Sequence, residues 1–145
     1  MTMGPGQIDV LIIRRHLAAL RASLQVLAAH RGLSLDELDA NTEARWIVER
    51  GLQLCAQNVL DIATHIAAGR GRDVPDYASA IDELGRLGVL DRRFASGFRS
   101  VAGFRNVVVH GYLDIELEIL TALLNERLRD FESFAAQVEA YLDTL

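Results

Sequence analysis

The 145-residue sequence predicts an all-α fold, and composition and spacing both support this prediction. Proline occurs only twice and aromatic residues make up 6% of the chain. Long stretches are dominated by Ala, Leu, Arg and Glu, which lose little side-chain freedom in a helix. Because 50% of the residues are hydrophobic, a chain of this length can build one contiguous core. We predict a bundle of four longer helices and one short helix.

The first helix is predicted over residues 8–31, where apolar residues recur at helical spacing and Gly32 provides a stop. Residues 1–7 contain two glycines and a proline, so we expect them to be disordered ahead of a single domain over residues 8–145. The apolar face of this helix is predicted to comprise Leu11, Ile12, Leu17, Leu20, Leu24 and Leu27.

The second long helix is predicted to begin at Asn41 or Thr42 and to reach Ala68. Ser34 and Glu37 have the spacing of a capping box and open a short turn before it. The apolar face of the long helix is predicted to comprise Trp46, Leu52, Cys55, Val59, Ile62 and Ile66.

Three aspartates are predicted to cap the remaining helices. Asp76 opens a short helix that Gly88 ends, Asp91 opens a fourth, and Asp114 opens a fifth. In the fourth helix Phe94, Phe98 and Val101 are expected to face inward, with Arg92, Arg93 and Arg99 toward solvent. The apolar side of the fifth helix is predicted to comprise Leu117, Leu120, Leu124, Leu128, Phe131, Phe134, Val138 and Tyr141.

The charge and the cysteine content limit the classes of function that the protein can have. The net charge of -5 opposes general nucleic-acid binding, but residues 92–112 carry four arginines and no acid. The lone Cys55 cannot form an intramolecular disulfide and is predicted to be a core residue. Neither a secretory signal nor a membrane-spanning apolar run is evident, so we expect a cytoplasmic protein.

One segment does not fit the helical pattern. Three consecutive valines lie between Asn106 and His110, and they either end the fourth helix or form an extended turn. If the helix continues, Arg105, Asn106 and His110 fall near one face, and Tyr112 lies just beyond. The segment therefore gathers polar side chains beside Gly111, which lets backbone approach closely.

An Arg and a His together have the chemistry that RNA cleavage without a metal needs. Histidine moves protons at neutral pH, and arginine supplies a permanent charge with forked donors for phosphate oxygens. One imidazole cannot both remove the 2′-hydroxyl proton and protonate the leaving oxygen in one step. A second copy of the chain would supply the other group. A surface ion pair or a hydrogen-bonded core histidine is the alternative interpretation of Arg105 and His110.

The string Arg105-Asn-Val-Val-Val-His110-Gly-Tyr112 fits the pattern R-N-x-x-x-H-x-Y and resembles the signature of the HepT family of HEPN-domain toxins. Two further segments resemble that family: residues 56–65, Ala-Gln-Asn-Val-Leu-Asp-Ile-Ala-Thr-His, and residues 74–77, Val-Pro-Asp-Tyr. The resemblance covers about residues 8–142.

The resemblance implies a HEPN-type bundle that dimerises with its R-x4-H motifs at a shared cleft. It also implies a metal-independent endoribonuclease toxin of a type VII-like toxin–antitoxin system, without a cofactor. Arg105 would stabilise the phosphate charge, His110 would act as acid and base, and Asn106 would support them. The partner would be an MntA-type nucleotidyltransferase antitoxin that transfers AMP to Tyr112.

Other polar residues have weaker patterns. Asn58, Asp61 and His65 share a helix face, where Asp61 could support the site; a metal site and a plain surface pair are the alternatives. His16 and His30 are expected at exposed helix positions, and Trp46 in packing or an interface. The alternative function is a non-catalytic helical subunit that assembles with a nucleotidyltransferase and positions its substrate.

Overall fold

A computed structural model describes residues 7–104 and 117–145, and these residues form helices without any strand. In chain order the helices are α1 (Val10–Ala28), α2 (Leu35–Ala40), α3 (Thr42–Gly69), α4 (Tyr77–Arg86), α5 (Arg92–Phe98), α6 (Leu117–Ala122) and α7 (Leu128–Leu142). A π-helical turn, Leu123–Arg127, joins α6 to α7, and residues 101–104 are also helical. The prediction of an all-α bundle is therefore confirmed.

Side-chain caps fix where the helices begin. The oxygens of Asn41, Asp76 and Asp91 accept hydrogen bonds from backbone N–H groups at the starts of α3, α4 and α5, as predicted. Ser34 and Glu37 form both halves of the predicted capping box at α2. The first helix begins at Val10 rather than at residue 8, because Asp9 caps it. The predicted cap Asp114 lies outside the described residues.

The two long helices α1 and α3 pack against each other in opposite directions. Near the end of α1, Leu27 lies so close to Gly51 that a Cβ added there would be 2.7 Å from the Leu27 Cδ2. Near the start of α1, the backbone of Gln7 and Ile8 lies against Gly69. The contacts at both ends therefore place the start of α1 beside the end of α3.

Helix α7 runs alongside α1, also in the opposite direction. Ion pairs join Arg14 to Asp143, Arg21 to Glu139 and Arg31 to Glu132. The start of α7 therefore lies at the end of the bundle where α1 finishes. Asn125, in the π-helical turn, strengthens this junction because its side chain accepts from the Gly32 N–H and donates to the Leu33 carbonyl.

Aromatic packing joins α5 to α7. The Phe98 ring stacks on Phe94 and Phe134, with centroids 5.0 and 5.4 Å away, and meets the edge of Phe131 at 5.6 Å. Phe98 and Val101 are buried and Phe94 is half-buried, while Arg92, Arg93 and Arg99 are exposed. The inward and outward faces predicted for this helix are confirmed.

Three sequence-based expectations about burial are wrong. Leu11 is 61% exposed, whereas Ile13 is buried and continues the spacing of Leu17 and Leu20. Trp46 is 66% exposed and does not belong to the core face of α3. His16 and His30 are half-buried rather than exposed. Each histidine is held against the protein by a hydrogen bond. His16 Nδ1 lies 2.9 Å from Asn58 Oδ1, and His30 Nδ1 lies 3.0 Å from the Val26 carbonyl oxygen.

Candidate functional site

The four motif residues predicted from the sequence, Arg105, Asn106, His110 and Tyr112, lie outside the described residues. The structure describes the residues immediately before and after this segment. Phe104 before the motif and Leu117 after it are half-buried and pack against the hydrophobic core. The core therefore fixes the positions at which the chain enters and leaves this segment.

Both flanking residues lie at the same end of the bundle. Phe104 lines a narrow cleft together with Leu123 and Arg127 of the π-helical turn, which is bonded to the end of α1. Helix α6, which begins at Leu117, packs on α2, and α2 leads directly into α3. The described residues on either side of the motif therefore lie at the end of the bundle where α1 finishes and α3 begins.

Arginines precede the motif on the exposed side of α5. Arg92, Ser96 and Arg99 are spaced four and three residues apart, and they line a groove of about 400 Å³ with Arg86 and Asp82 of α4. The sequence analysis does not identify Arg86 and Ser96 as candidate site residues. The helical spacing of Ser96 between the two α5 arginines could have indicated that it shares their face. The groove lining carries three arginines and one acid, which favours an anionic ligand.

Close helix packing brings the arginines of this groove together. A Cβ added to Gly85 of α4 would lie 3.0 Å from the Ala95 Cβ of α5, so the two backbones nearly touch. Arg99 pairs with Asp82 at 3.2 Å, and Arg86 pairs with Glu83 at 2.5 Å. Arg92 has no ion pair within residues 7–104 and 117–145, which leaves its guanidinium available for a ligand.

Asp61, the predicted supporting residue, lies in the second half of α3 and is half-buried. Its Oδ1 accepts a hydrogen bond from Gln57 Nε2 at 2.9 Å. It lies 15 residues after Trp46, which is near the start of α3. Roughly 22 Å of helix, at 1.5 Å per residue, therefore separates Asp61 from that end of α3. Its supporting role stays a prediction.

The other polar residues on this stretch of α3 face α1. Asn58 is buried, where its side chain bonds His16 and donates to the Leu54 carbonyl. The ring of His65 lies 5.7 Å from that of His16. Because these contacts join α1 to α3, Asn58 has a structural role that its position in the sequence did not reveal.

The described part of the chain contains neither a cluster of metal-ligating side chains nor a reactive thiol. No group of three or more His, Cys, Asp or Glu side chains there could hold a metal ion. Cys55 is buried, as predicted, and burial raises the pKa of its thiol to about 12. A thiol with that pKa stays protonated at neutral pH and is a poor nucleophile.

The model of one protein family, described as ribonuclease HepT-like, matches residues 12–138. The chain belongs to the HepT-like ribonuclease family. A HepT relative, the tRNA nuclease HepT of Aphanizomenon flos-aquae, is 30% identical over 140 residues, which cover 95% of each chain. The mRNA nuclease HepT of Shewanella oneidensis is 27% identical over 90 residues, covering 61% of this chain and 68% of that protein.

A solved structure of similar fold is that of the tri-AMPylated Shewanella oneidensis HEPN toxin in complex with an MNT antitoxin. It has a TM-score of 0.76 and 22% identity, and the match covers 89% of this chain and 97% of that chain. The predicted HepT family and its ribonuclease activity are confirmed, and the similar solved structure confirms the HEPN-type bundle. The role as a toxin stays a prediction. None of the described helices is long and apolar enough to cross a membrane.

Proposed function

We propose that this HepT ribonuclease cleaves RNA by metal-independent transesterification in the cytoplasm, through Arg105 and His110. The observation that carries the proposal is the string Arg105-Asn-x-x-x-His110-x-Tyr112 in a chain that belongs to a ribonuclease family. The two side chains supply what the reaction needs, a mobile proton and a fixed cation. The absence of a catalytic thiol among the described residues is compatible with this assignment.

The reaction can be balanced with these groups. The ribose 2′-oxygen forms a bond to phosphorus and gives its proton to one imidazole, while the bond from phosphorus to the 5′-oxygen breaks. A second imidazole gives its proton to that 5′-oxygen, so the products are a 2′,3′-cyclic phosphate and a 5′-hydroxyl. Arg105 stabilises the doubly charged phosphorane through two parallel N–H donors. Asn106 orients the imidazole or binds a phosphate oxygen, and Asp61 supports the site.

A homodimer would provide the second imidazole. Each chain has one His110, and no other histidine lies in the motif. Two chains related by a two-fold axis would present two copies of Arg105 and His110 to one phosphodiester. The dimer is therefore part of the proposed mechanism.

We further propose that an MntA-type nucleotidyltransferase silences the enzyme by transferring AMP to Tyr112. The solved structure of the Shewanella toxin is described as tri-AMPylated and in complex with an MNT antitoxin. Tyr112 follows His110 by two residues, so a phosphodiester on its oxygen would bring a negative charge close to Arg105. The modification would neutralise the cation and occupy the position of the substrate phosphate.

Removal of the imidazole tests the catalytic proposal. We expect His110→Ala to lower the rate of RNA cleavage by about a hundred- to ten-thousand-fold, because general acid–base groups contribute that much. Arg105→Lys should also fail, since an ammonium cannot make forked contacts with the phosphate. Cleavage by purified protein and growth arrest after expression are the two measurements. A His110→Ala protein with wild-type cleavage would disprove the mechanism.

A wild-type protein that binds its nucleotidyltransferase but cleaves no RNA would instead support the alternative function, a non-catalytic helical subunit.

A phenylalanine at position 112 tests the regulatory proposal. Tyr112→Phe keeps the ring and removes the acceptor oxygen, so the variant should cleave RNA and should gain no AMP mass at that position. Mass spectrometry after incubation with the antitoxin and ATP measures the modification. If the unmodified, folded variant cannot cleave RNA, the hydroxyl belongs to the catalytic machinery and its role is not only regulatory.

A further inference from the structure

An apolar depression on the described surface lies between α1 and α3, and we call it the Trp46 groove. It has a volume of about 440 Å³, and its lining is almost entirely apolar. The residues that define it are Ala22 and Val26 of α1 with Trp46, Ile47, Arg50 and Leu54 of α3. Trp46 is 66% exposed and Val26 is 48% exposed. Exposed aromatic side chains that lie beside other apolar residues are enriched at protein–protein interfaces.

We propose that the Trp46 groove is the surface through which two copies of this chain pair, with their α3 helices antiparallel across a two-fold axis. The inference rests on the homodimer of the proposed function and names its interface. A two-fold interface must be complementary to itself. The Trp46 groove meets that requirement because a projecting indole and a depression able to receive it lie on the same face.

The charges on this face of α3 are also complementary to themselves. Glu43, Ile47, Arg50 and Leu54 recur at helical spacing, with Trp46 beside them. If the axis passes between Trp46 and Ile47, Trp46 of one copy faces Ile47 of the other. Glu43 of each copy then faces Arg50 of its mate, because Glu43 lies three residues before Trp46 and Arg50 lies three residues after Ile47.

Neither of these charges is neutralised by an ion pair within the described part of its own chain. Arg50 donates to Gln53 Oε1 at 2.9 Å, and neither it nor Glu43 makes an ion pair within residues 7–104 and 117–145. By contrast, Arg45 and Glu49 on the same helix pair with each other at 3.1 Å. The Glu43 and Arg50 side chains are therefore free to pair between copies.

The Trp46 groove lies toward the end of the bundle where the residues on either side of the motif also lie. Trp46 is near the start of α3, and Phe104 and Leu117 pack against the core at that end. An RNA strand is a poorer occupant, because Arg50 is the one cation in the groove lining.

Sedimentation of Trp46→Arg tests the surface. The wild-type protein should sediment at twice the chain mass of 16.0 kDa. The variant should raise the dimer dissociation constant at least about 30-fold, as loss of a central aromatic anchor does. Leu11→Arg is the matched control, because Leu11 is a similarly exposed apolar residue on α1 that does not line the groove. Thermal unfolding checks that both variants fold.

Charge reversal tests the proposed geometry separately. Glu43→Arg and Arg50→Glu should each weaken the dimer several-fold, because each places like charges face to face. The double variant restores opposite charges in every pair and should dimerise within about twofold of wild type. A double variant weakened as much as the sum of the single variants would overturn the antiparallel arrangement.

The remaining outcomes separate this inference from the proposed function. A Trp46→Arg protein that stays dimeric overturns the Trp46 groove as the interface but leaves the homodimer intact. A Trp46→Arg dimer that no longer binds its nucleotidyltransferase also overturns it and assigns the groove to that partner. A wild-type protein that is monomeric while cleaving RNA overturns the homodimer itself and this interface with it.

Discussion

The Trp46 groove between α1 and α3 and the arginine-lined groove between α4 and α5 have similar volumes and opposite chemistry. The first is almost entirely apolar and projects an indole. The second is lined by Arg86, Arg92 and Arg99 with a single acid. A helical bundle can therefore present an apolar surface suited to another protein and a basic surface suited to a phosphate chain.

The difference arises from what each helix pair buries. The helices α1 and α3 are long, and leucines fill the space between them, so their outer edges retain apolar residues beyond the core. The helices α4 and α5 are short and meet at Gly85 and Ala95, where little side-chain volume separates them. Long side chains from both helices then extend over this contact, and here those side chains are arginines.

Salt concentration should affect the two grooves differently. If three arginines of the α4–α5 groove contact RNA phosphates, affinity should fall roughly 20-fold between 50 and 200 mM salt, from the single-strand slope for three contacts. Dimerisation through the Trp46 groove is mainly apolar and should change little. Fluorescence anisotropy with a single-stranded RNA and the His110→Ala protein measures binding without cleavage. Arg92→Gln should reduce the salt slope, and an unchanged slope would remove this groove from the RNA path.

The helix starts could be predicted because their causes are local. Asn41, Asp76 and Asp91 cap through hydrogen bonds to backbone three residues away, so sequence spacing contains the whole interaction. The sequence predicts too early a start for α1 because residues 8–13 include several adjacent apolar residues. Only packing within the bundle decides that Ile13, rather than Leu11, is buried.

The two grooves could not be predicted because each is made by residues distant in the chain. The spacing predicts that Trp46 belongs to the core face of its helix, but spacing alone does not show where a neighbouring helix ends, and Trp46 is exposed. Asn58 meets His16 across 42 positions, and no local pattern indicates that pairing. The motif was different, because Arg105, Asn106, His110 and Tyr112 form one short string that identifies the family without a structure.

A methyl group at Gly85 should distinguish the tight α4–α5 contact from ordinary helix surface. In Gly85→Ala the new Cβ would lie 3.0 Å from the Ala95 Cβ, so the helices must separate. We expect the free energy of unfolding to fall by about 1 kcal/mol, because overpacking outweighs the gain in helix propensity.

Gly97→Ala is the control for this substitution. An added Cβ there meets nothing within 4 Å, so improved propensity should raise the free energy of unfolding by about 0.5–1 kcal/mol. Urea titration at fixed protein concentration measures both variants. Equal stabilisation by the two alanines would show that α4 and α5 are not held in close contact.

The smallest expected effect concerns charges that serve the fold rather than a ligand. Arg21 of α1 donates two hydrogen bonds of 2.8 Å to Glu139 of α7, and these bonds lower the pKa of the Glu139 carboxyl below its ordinary value. A lowered pKa in the folded state stabilises the protein above the pKa of the unfolded state. The contribution is lost as the pH falls through the folded-state pKa.

Both side chains are partly exposed, so Glu139→Gln should lower the free energy of unfolding by only about 0.5 kcal/mol at pH 7. The difference between variant and wild type should disappear in acid, where the Glu139 carboxyl is protonated in both the folded and the unfolded state. Glu126→Gln is the control, because Glu126 is exposed and has no ion pair in the described chain. It should leave the free energy of unfolding unchanged both at pH 7 and in acid. Urea titrations under the two conditions measure the effect. A Glu139→Gln deficit that persists unchanged in acid would show that packing, rather than the ion pair, joins α1 to α7 at this position.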